Sequence, residues 1–325
     1  MSDNLSSKNV VLFGAGPMAI DYSKVLKSLG ANFTVAGRSR EGTEKFQEQT
    51  GIAAIPHGVS GWKKKGDTKA EYGIIAVSCE ALAATAIELM DAGVRKILLE
   101  KPAGLTTQQI HAVCEHAKKV RARIFVAYNR RFYASVTEAR KLIGDDGGVQ
   151  SFNFEFTEWC DQVEEKLKHS DTGKNWFLAN SSHVLDMVFY LGGEPKELHS
   201  YTAGGNYWHP TATVFAGAGI THSGALFSYQ ANWDAPGRWG VEILTRKHRY
   251  IFRPLEKLQI LKHNTVSVEP IKIDDQLDLE FKPGLYRQTE SFLNENPNAP
   301  LLDIHKHYEK IITCYEKIIR QKTQC

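Results

Sequence analysis

Val10-Val11-Leu12-Phe13-Gly14-Ala15-Gly16-Pro17-Met18-Ala19 is an apolar strand running straight into a glycine-rich turn. Gly14 allows a tight turn out of the strand. Gly16 lets the backbone approach a pyrophosphate with no side chain in the way, and small Ala19 permits close packing of the helix that follows. The first N–H groups and the dipole of that helix favour phosphate. A lone G-x-G-x-x-A is weak evidence, but this one follows a buried-strand pattern and opens a helical stretch, Ile20 to Leu29, that stops at Gly30.

The second strand pattern, Asn32 to Ala36, leads into Gly37-Arg38-Ser39-Arg40, with Arg38 placed 24 residues after Gly14. An NAD site carries Asp or Glu near this point, to bond the ribose 2′-hydroxyl. Two guanidiniums and a hydroxyl suit a 2′-phosphate instead, through charge-assisted bonds. The expected cofactor is therefore NADP(H) rather than NAD(H). The alternative leaves Arg38 and Arg40 as solvated charges beside Glu41 and Glu44.

A chain of 325 residues exceeds one average domain. With 42% hydrophobic and 24% charged residues it can bury sizeable cores. A formal charge of +3, with no basic block longer than Lys63-Lys64-Lys65, gives no footprint for nucleic acid or an acidic membrane. No apolar run is long enough to span a bilayer. The polar start, Met1-Ser2-Asp3-Asn4, argues against a secretory signal. Cys79, Cys114, Cys160, Cys314 and Cys325 are odd in number and never spaced C-x-x-C, which reads as reduced cytoplasmic thiols. No metal constellation is evident, since neither His111 with His116 nor His305 with His307 has ligand spacing, and all four read as exposed helix residues.

Up to about residue 127, apolar runs at 10–13, 33–36, 73–77, 97–99 and 124–127 alternate with helical stretches at 41–50, 80–92 and 106–119. That spacing means βαβ units and a doubly wound parallel sheet. After Tyr128 comes a helix over Ser135–Ile143. Strand patterns follow at 151–157, 211–215, 222–233, 239–245, 248–253, 257–262 and 265–273. Serial strands with short connections indicate a mainly antiparallel sheet. One long helix, Asn175 to Leu191, interrupts them. The tail holds a helix near 285–294 and then an amphipathic helix capped by Asp303. The division expected is 1–127 for a dinucleotide-binding domain and 128–325 for a substrate-binding and oligomerisation domain.

Leu98-Leu99-Glu100-Lys101-Pro102 closes an apolar strand, so Lys101 should stand at the C-terminal edge of the parallel sheet, where open α/β sheets bind ligands. The residue before proline is held out of the helical region, and the bond itself can be cis. The alternative is a surface lysine in a strand-to-helix turn.

At this point the chain resembles the glucose-fructose oxidoreductase / inositol dehydrogenase (Gfo/Idh/MocA) family over nearly its full length. The resemblance rests on Gly14-Ala15-Gly16-Pro17-Met18-Ala19, Glu100-Lys101-Pro102, Tyr128-Asn129-Arg130-Arg131-Phe132-Tyr133 and His183-Val184-Leu185-Asp186, in that order. It implies a Rossmann domain followed by an α/β domain with a large, open, mostly antiparallel sheet. It also implies hydride transfer at a sugar-like or polyol carbon, with Lys101 binding or protonating the substrate oxygen and His183 contacting the reacting hydroxyl. Asn129 and Arg130 would lie by the pocket, and Tyr286 matches loosely a substrate-bonding position. Cofactor contacts are expected from Gly14, Ala15, Gly16, Pro17, Met18, Arg38, Ser39, Arg40, Ser78, Glu100 and Lys101.

The chain departs from the family pattern in two places. The family helix reads Asp-x-x-x-His-x-x-Asp, but the first Asp slot is Ala179, beside an Asn180 that cannot titrate. The usual Thr-Pro and His after the fourth strand are replaced by Ser78-Cys79-Glu80-Ala81-Leu82. By helical spacing Trp176, Asn180, His183 and either Asp186 or Met187 share one face. Trp176 and Asn180 are therefore candidate substrate contacts, and Asp186 reads as structural.

The function expected is an NAD(P)-dependent oxidoreductase acting on a sugar, nucleotide sugar or polyol. An imine or cyclic-ketone reductase, and a non-catalytic NADP-binding regulator, are the alternatives. Five of the six tryptophans lie beyond residue 128. One sheet face rich in Trp, Phe and Tyr is expected to be uncovered in the monomer and buried in a homodimer or homotetramer.

Overall fold

A computed structural model describes residues 5–66, 69–167 and 169–320. Met1–Asn4 and Cys325, which entered the sequence reading, lie outside them. The chain divides into two compact units, one of residues 1–129 with 277–308 and the other of residues 130–276 with 309–325.

In the first unit, β1 (Asn9–Phe13), β2 (Asn32–Ala36), β3 (Ala54–Ile55), β4 (Tyr72–Ile75), β5 (Lys96–Glu100) and β6 (Arg123–Ala127) form a parallel sheet. Its order is β6-β5-β4-β1-β2-β3, extended at β6 by the antiparallel strand Leu302–Asp303. The central strands are near-continuous apolar runs, Val10–Phe13, Tyr72–Ile75 and Ile97–Leu99, because helices cover both faces and leave no exposed face for polar alternation to mark. The connecting helices are α1 (Pro17–Ser28), α2 (Arg40–Thr50), α3 (Gly58–Lys64), α4 (Leu82–Asp91) and α5 (Thr107–Val120). No helix among the described residues is long and apolar enough to cross a membrane.

The sequence reading placed residues 277–308 with the second domain, and that is corrected. The helix Leu285–Leu293 lays Leu285, Phe292 and Leu293 into the same core as Tyr22, Leu26 and Tyr72. The Phe292 ring stands edge-on to Tyr72 and Phe125. Amphipathic spacing shows that a helix has an apolar face, but not which core receives it.

In the second unit, α6 (Ala134–Asp145) precedes β7 (Ser151–Glu155), α7 (Cys160–Leu167), α8 (Asp171–Lys174) and α9 (Ser182–Gly192). Seven strands follow: β8 (Pro195–Ala203), β9 (Val214–Thr221), β10 (Leu226–Asn232), β11 (Gly240–Leu244), β12 (His248–Phe252), β13 (Gln259–Lys262) and β14 (Val268–Pro270). The eight strands are ordered β14-β13-β12-β11-β7-β10-β9-β8, antiparallel except where β10 runs beside β7.

Strand β8 was not expected, and β9 occupies 214–221, most of which lies between the strand patterns read at 211–215 and 222–233. Gly217 and Gly219 both stand inside the strand. A Cβ at Gly217 would lie 2.3 Å from the Tyr229 hydroxyl oxygen, and one at Gly219 would lie 2.5 Å from the Phe227 ring. The glycines make room for large neighbours across the ladder.

The uncovered sheet face is also corrected. Phe152, Phe154, Phe215, Phe227 and Tyr229 are all buried on one side, where the first, second and fourth meet Phe189 of α9. The opposite rows carry Tyr201, Ala216 and Gln230, then His199, Ala218, Ser228 and Asn153. That face is mixed, because strict alternation sends all the large rings of these strands except Tyr201 inward. The aromatic surface on which the expected assembly rested is interior.

At the end of α6, Asp146 Oδ2 takes hydrogen bonds from the Thr245 and Tyr250 hydroxyls and lies 2.8 Å from His248 Nδ1. Burial works to raise the Asp146 carboxyl, but the His248, Tyr250 and Thr245 bonds prevail and hold it below its ordinary value. A depressed folded value contributes stability above the unfolded value, near pH 4, which is lost as pH falls through the folded one. Asp146→Asn should therefore lower the urea midpoint at pH 6, with the gap to wild type closing between about pH 4 and pH 2. A gap that stays constant over that range would show that Asp146 acts through shape alone.

Candidate active site

In the first unit the parallel strands bring the ends of β1, β2, β4 and β5 to one edge, which carries Gly14, Arg38, Ser78 and Lys101. Gly14 has φ +136°, and a Cβ there would fall 2.2 Å from the Ala76 carbonyl oxygen and 3.3 Å from the Ala19 Cβ. The turn therefore requires glycine, and Ala19 packs as its small size predicts. A Cβ at Gly16 would meet no protein atom within 4 Å. Internal packing thus does not demand this glycine, and its open approach fits a pyrophosphate. Pro17 opens α1, and Gly16 at the N-cap offers no side-chain acceptor to the first-turn amides of Met18 and Ala19. Those donors and the helix dipole suit a dinucleotide phosphate.

Arg38, Ser39 and Arg40 are exposed at the end of β2. Among the described residues neither arginine forms an ion pair. The Ser39 hydroxyl accepts from Gly42 N, capping α2, and keeps its own proton to donate. Ser78 is exposed and starts a short helical turn after β4. Glu100 is buried, and Tyr22 donates to its Oε1 at 2.8 Å. Burial raises the Glu100 carboxyl, against the opposing Lys101 charge and the Tyr22 bond. Glu100 is thus committed to the protein interior, supporting the strand end rather than facing a ligand.

Lys101 is half-buried, and its bond to Pro102 is cis. The turn is held from behind, because His307 Nε2 donates to the Pro102 carbonyl at 3.0 Å. His307 is fully buried and its ring lies 5.4 Å from that of Tyr128, so reading it as an exposed helix residue was wrong. His305 is exposed, as expected.

Two expected substrate contacts are placed otherwise. Asn129 Nδ2 donates to the Pro283 carbonyl at 2.9 Å, a bond internal to the first unit. Tyr286 packs on Phe281 and hydrogen-bonds Ser28, the last residue of α1. Helix α1 starts at the phosphate turn and runs back along the sheet, so Ser28 and Tyr286 lie toward the other end of the unit.

In the second unit the helix expected over Asn175–Leu191 is two pieces, a wide π-helical turn over Phe177–Ser181 and then α9. The wider turn breaks the spacing that aligned Trp176, Asn180 and His183 on one face. His183 is buried, with its ring 6.3 Å from Trp239. Asp186 instead receives Arg131 Nε and NH2 at 2.7 and 2.6 Å, a bidentate pair. Its structural reading holds, although its partner was not expected. Trp176 is half-buried, and its buried indole N–H has no acceptor among the described residues.

The carboxylate missing at Ala179 has a spatial neighbour that the sequence reading overlooked. Glu158, one residue past the end of the β7 pattern, is 1% exposed. It accepts from Asn180 Nδ2 at 3.0 and 3.1 Å, from the Ser181 hydroxyl at 2.7 Å and from Arg238 at 3.2 Å. Burial raises the Glu158 carboxyl against the pull of Ser181, Arg238 and Asn180. An acidic residue directly after an alternating strand was the one visible signal. Arg238 lies over both Trp159 and Trp239, at 4.6 and 4.2 Å, and Arg130 lies over Trp239 at 4.8 Å. No group of His, Cys, Asp and Glu that could hold a metal is found among the described residues.

Residues 8–128 match the family model described as "Oxidoreductase family, NAD-binding Rossmann fold". Over these residues the chain is similar to the Gfo/Idh/MocA oxidoreductase family that the motifs implied. Solved structures share the fold over both units. UDP-N-acetylglucosamine 3-dehydrogenase from Acidithiobacillus ferrooxidans aligns with a TM-score of 0.74 at 15% identity, covering 96% of each chain. A levoglucosan dehydrogenase bound to NADH and levoglucosan aligns at 0.76 and 18%, again over 96% of each. The WlbA dehydrogenase from Bordetella pertussis, bound to NADH and UDP-GlcNAcA, aligns at 0.73 and 15%, over 96% of each. No curated relative matches the sequence.

Proposed function

We propose that the protein transfers a hydride to or from a hydroxyl-bearing carbon of a sugar, nucleotide sugar or related polyol, using NADP(H) in preference to NAD(H). The observation that carries this reading is the shared sheet edge, where Lys101 stands on a turn braced by Glu100 and His307 at the same edge as Gly14 and Gly16. A bound nicotinamide supplies the hydride chemistry. The chain supplies the rest. The Gly14–Met18 turn holds phosphate, Lys101 holds or protonates the substrate oxygen, and His183 orients the reacting hydroxyl. Sugar-type substrates in the names of structures with the same fold support this reading.

Preference for NADP(H) is read from Arg38, Ser39 and Arg40, which present two ion-pair-free guanidiniums and a hydroxyl proton at the end of β2. The purified protein should bind NADPH at least about tenfold more tightly than NADH, the worth of one or two charge-assisted bonds. Arg38→Ala should weaken NADPH and leave NADH nearly unchanged. Equal affinities in the wild type, measured by fluorescence titration, would end the NADP assignment. Failure to oxidise or reduce any sugar with either cofactor would end the wider one.

A further inference from the structure

We infer that the substrate carries an anionic group, a carboxylate or a phosphate, and that Arg130 receives it in a cleft beside Trp239. The inference rests on the proposed sugar chemistry and names the class of sugar. The cleft has a volume of about 250 Å³ and lies wholly within the second unit, lined by Arg130, Arg238, Trp239, Arg253, Leu255 and Glu256, with Pro254.

Three guanidiniums meet there, and they are not equivalent. Arg238 is paired with Glu158 at 3.2 Å, and Arg253 with Glu155 at 2.9 Å. Arg130 has no carboxylate within ion-pair distance among the described residues, although Glu256 and Glu158 act on it from further away. Its Nε is buried and has no acceptor there, and neither has the Trp239 indole N–H on the same cleft. Burial pushes the Arg130 guanidinium below its ordinary value, yet guanidinium stays charged in proteins.

A guanidinium without a carboxylate, on a cleft beside two that have one, suits a ligand that brings oxygens and negative charge. The planar fork of arginine matches carboxylate and phosphate geometry. The Trp239 ring neighbours both groups, at 4.8 Å from the Arg130 guanidinium and 6.3 Å from the His183 ring. One molecule can therefore present a hydroxyl to His183 and an anionic substituent to Arg130. Exposed Glu256 is the competing carboxylate that such a substituent would have to outbid.

Calorimetry with glucose, glucuronate, glucose 6-phosphate and UDP-glucose tests this, and the three anions separate carboxylate from phosphate. At least one anion should bind about tenfold or more tightly than glucose, the worth of bonds to a charged group. Arg130→Gln should abolish that preference, and Glu256→Gln should strengthen it several-fold. If no anion outbinds glucose, or if the preference survives Arg130→Gln, the inference is overturned. Should Arg130→Gln fail to fold, an unchanged preference in Glu256→Gln overturns it as well. Turnover of neutral sugars with no anion preference would remove the anion site and leave the oxidoreductase reading standing. Failure to bind dinucleotide would instead strike that reading.

Discussion

Lys101→Ala is expected to lower kcat/KM by roughly two to four orders of magnitude, the range for losing a general acid–base group. Dinucleotide affinity should change far less, because the turn proposed to hold the phosphates, Gly14–Met18, is not built by Lys101. His183→Ala should also slow turnover, by a smaller factor if the ring only orients the hydroxyl. The two effects are read in steady-state kinetics beside a cofactor titration. Full activity in Lys101→Ala would show that this sheet edge carries no proton partner. Buried His307 gives a control, because it touches the turn and not the reacting atoms. His307→Gln can keep a donor to the Pro102 carbonyl and should retain more activity than His307→Ala.

The second large effect concerns stability. Asp186 is completely buried, Arg131 nearly so, and their two-point contact spans 55 residues of sequence. Burial would lower the Arg131 guanidinium, but the Asp186 charge and hydrogen bonds override it and raise the group above its ordinary value. Asp186→Ala strands a buried cation and should cost about 3–5 kcal/mol, a fall in melting temperature on the order of 10 °C. Replacing both residues with apolar groups of similar volume should cost much less, since a buried pair repays little beyond its own desolvation. Thermal unfolding of the single and double variants checks this. A mild single variant would mean that Glu194, whose charge also acts on Arg131, takes over much of the charge balance.

The sequence by itself determined the parallel sheet of the first unit and its glycine-rich turn. Every signal there is local: glycines at a strand end, apolar runs of strand length, a small residue one turn into the helix. Physics acts on them over fewer than ten residues, so spacing alone is enough. Lys101 was legible for the same reason, because a strand that ends in Glu-Lys-Pro in a parallel sheet can end only at the ligand edge.

The mostly antiparallel sheet of the second unit was legible in its serial strand patterns, but only the tertiary structure decided its strand bounds and its candidate site. The room that Gly217 and Gly219 make has a purpose only once Tyr229 and Phe227 are placed across the ladder, and the helix Leu285–Leu293 declares no owner until its face meets Tyr72. Helical spacing put Asn180 and His183 on one face, whereas the π-helical turn widened that step and gave Asn180 to Glu158. Glu158 and Asn180 are 22 residues apart and Arg131 and Asp186 are 55 apart. Contacts over such separations depend on strand register and on which partner relieves the cost of a buried charge. Neither quantity is written in any window of sequence.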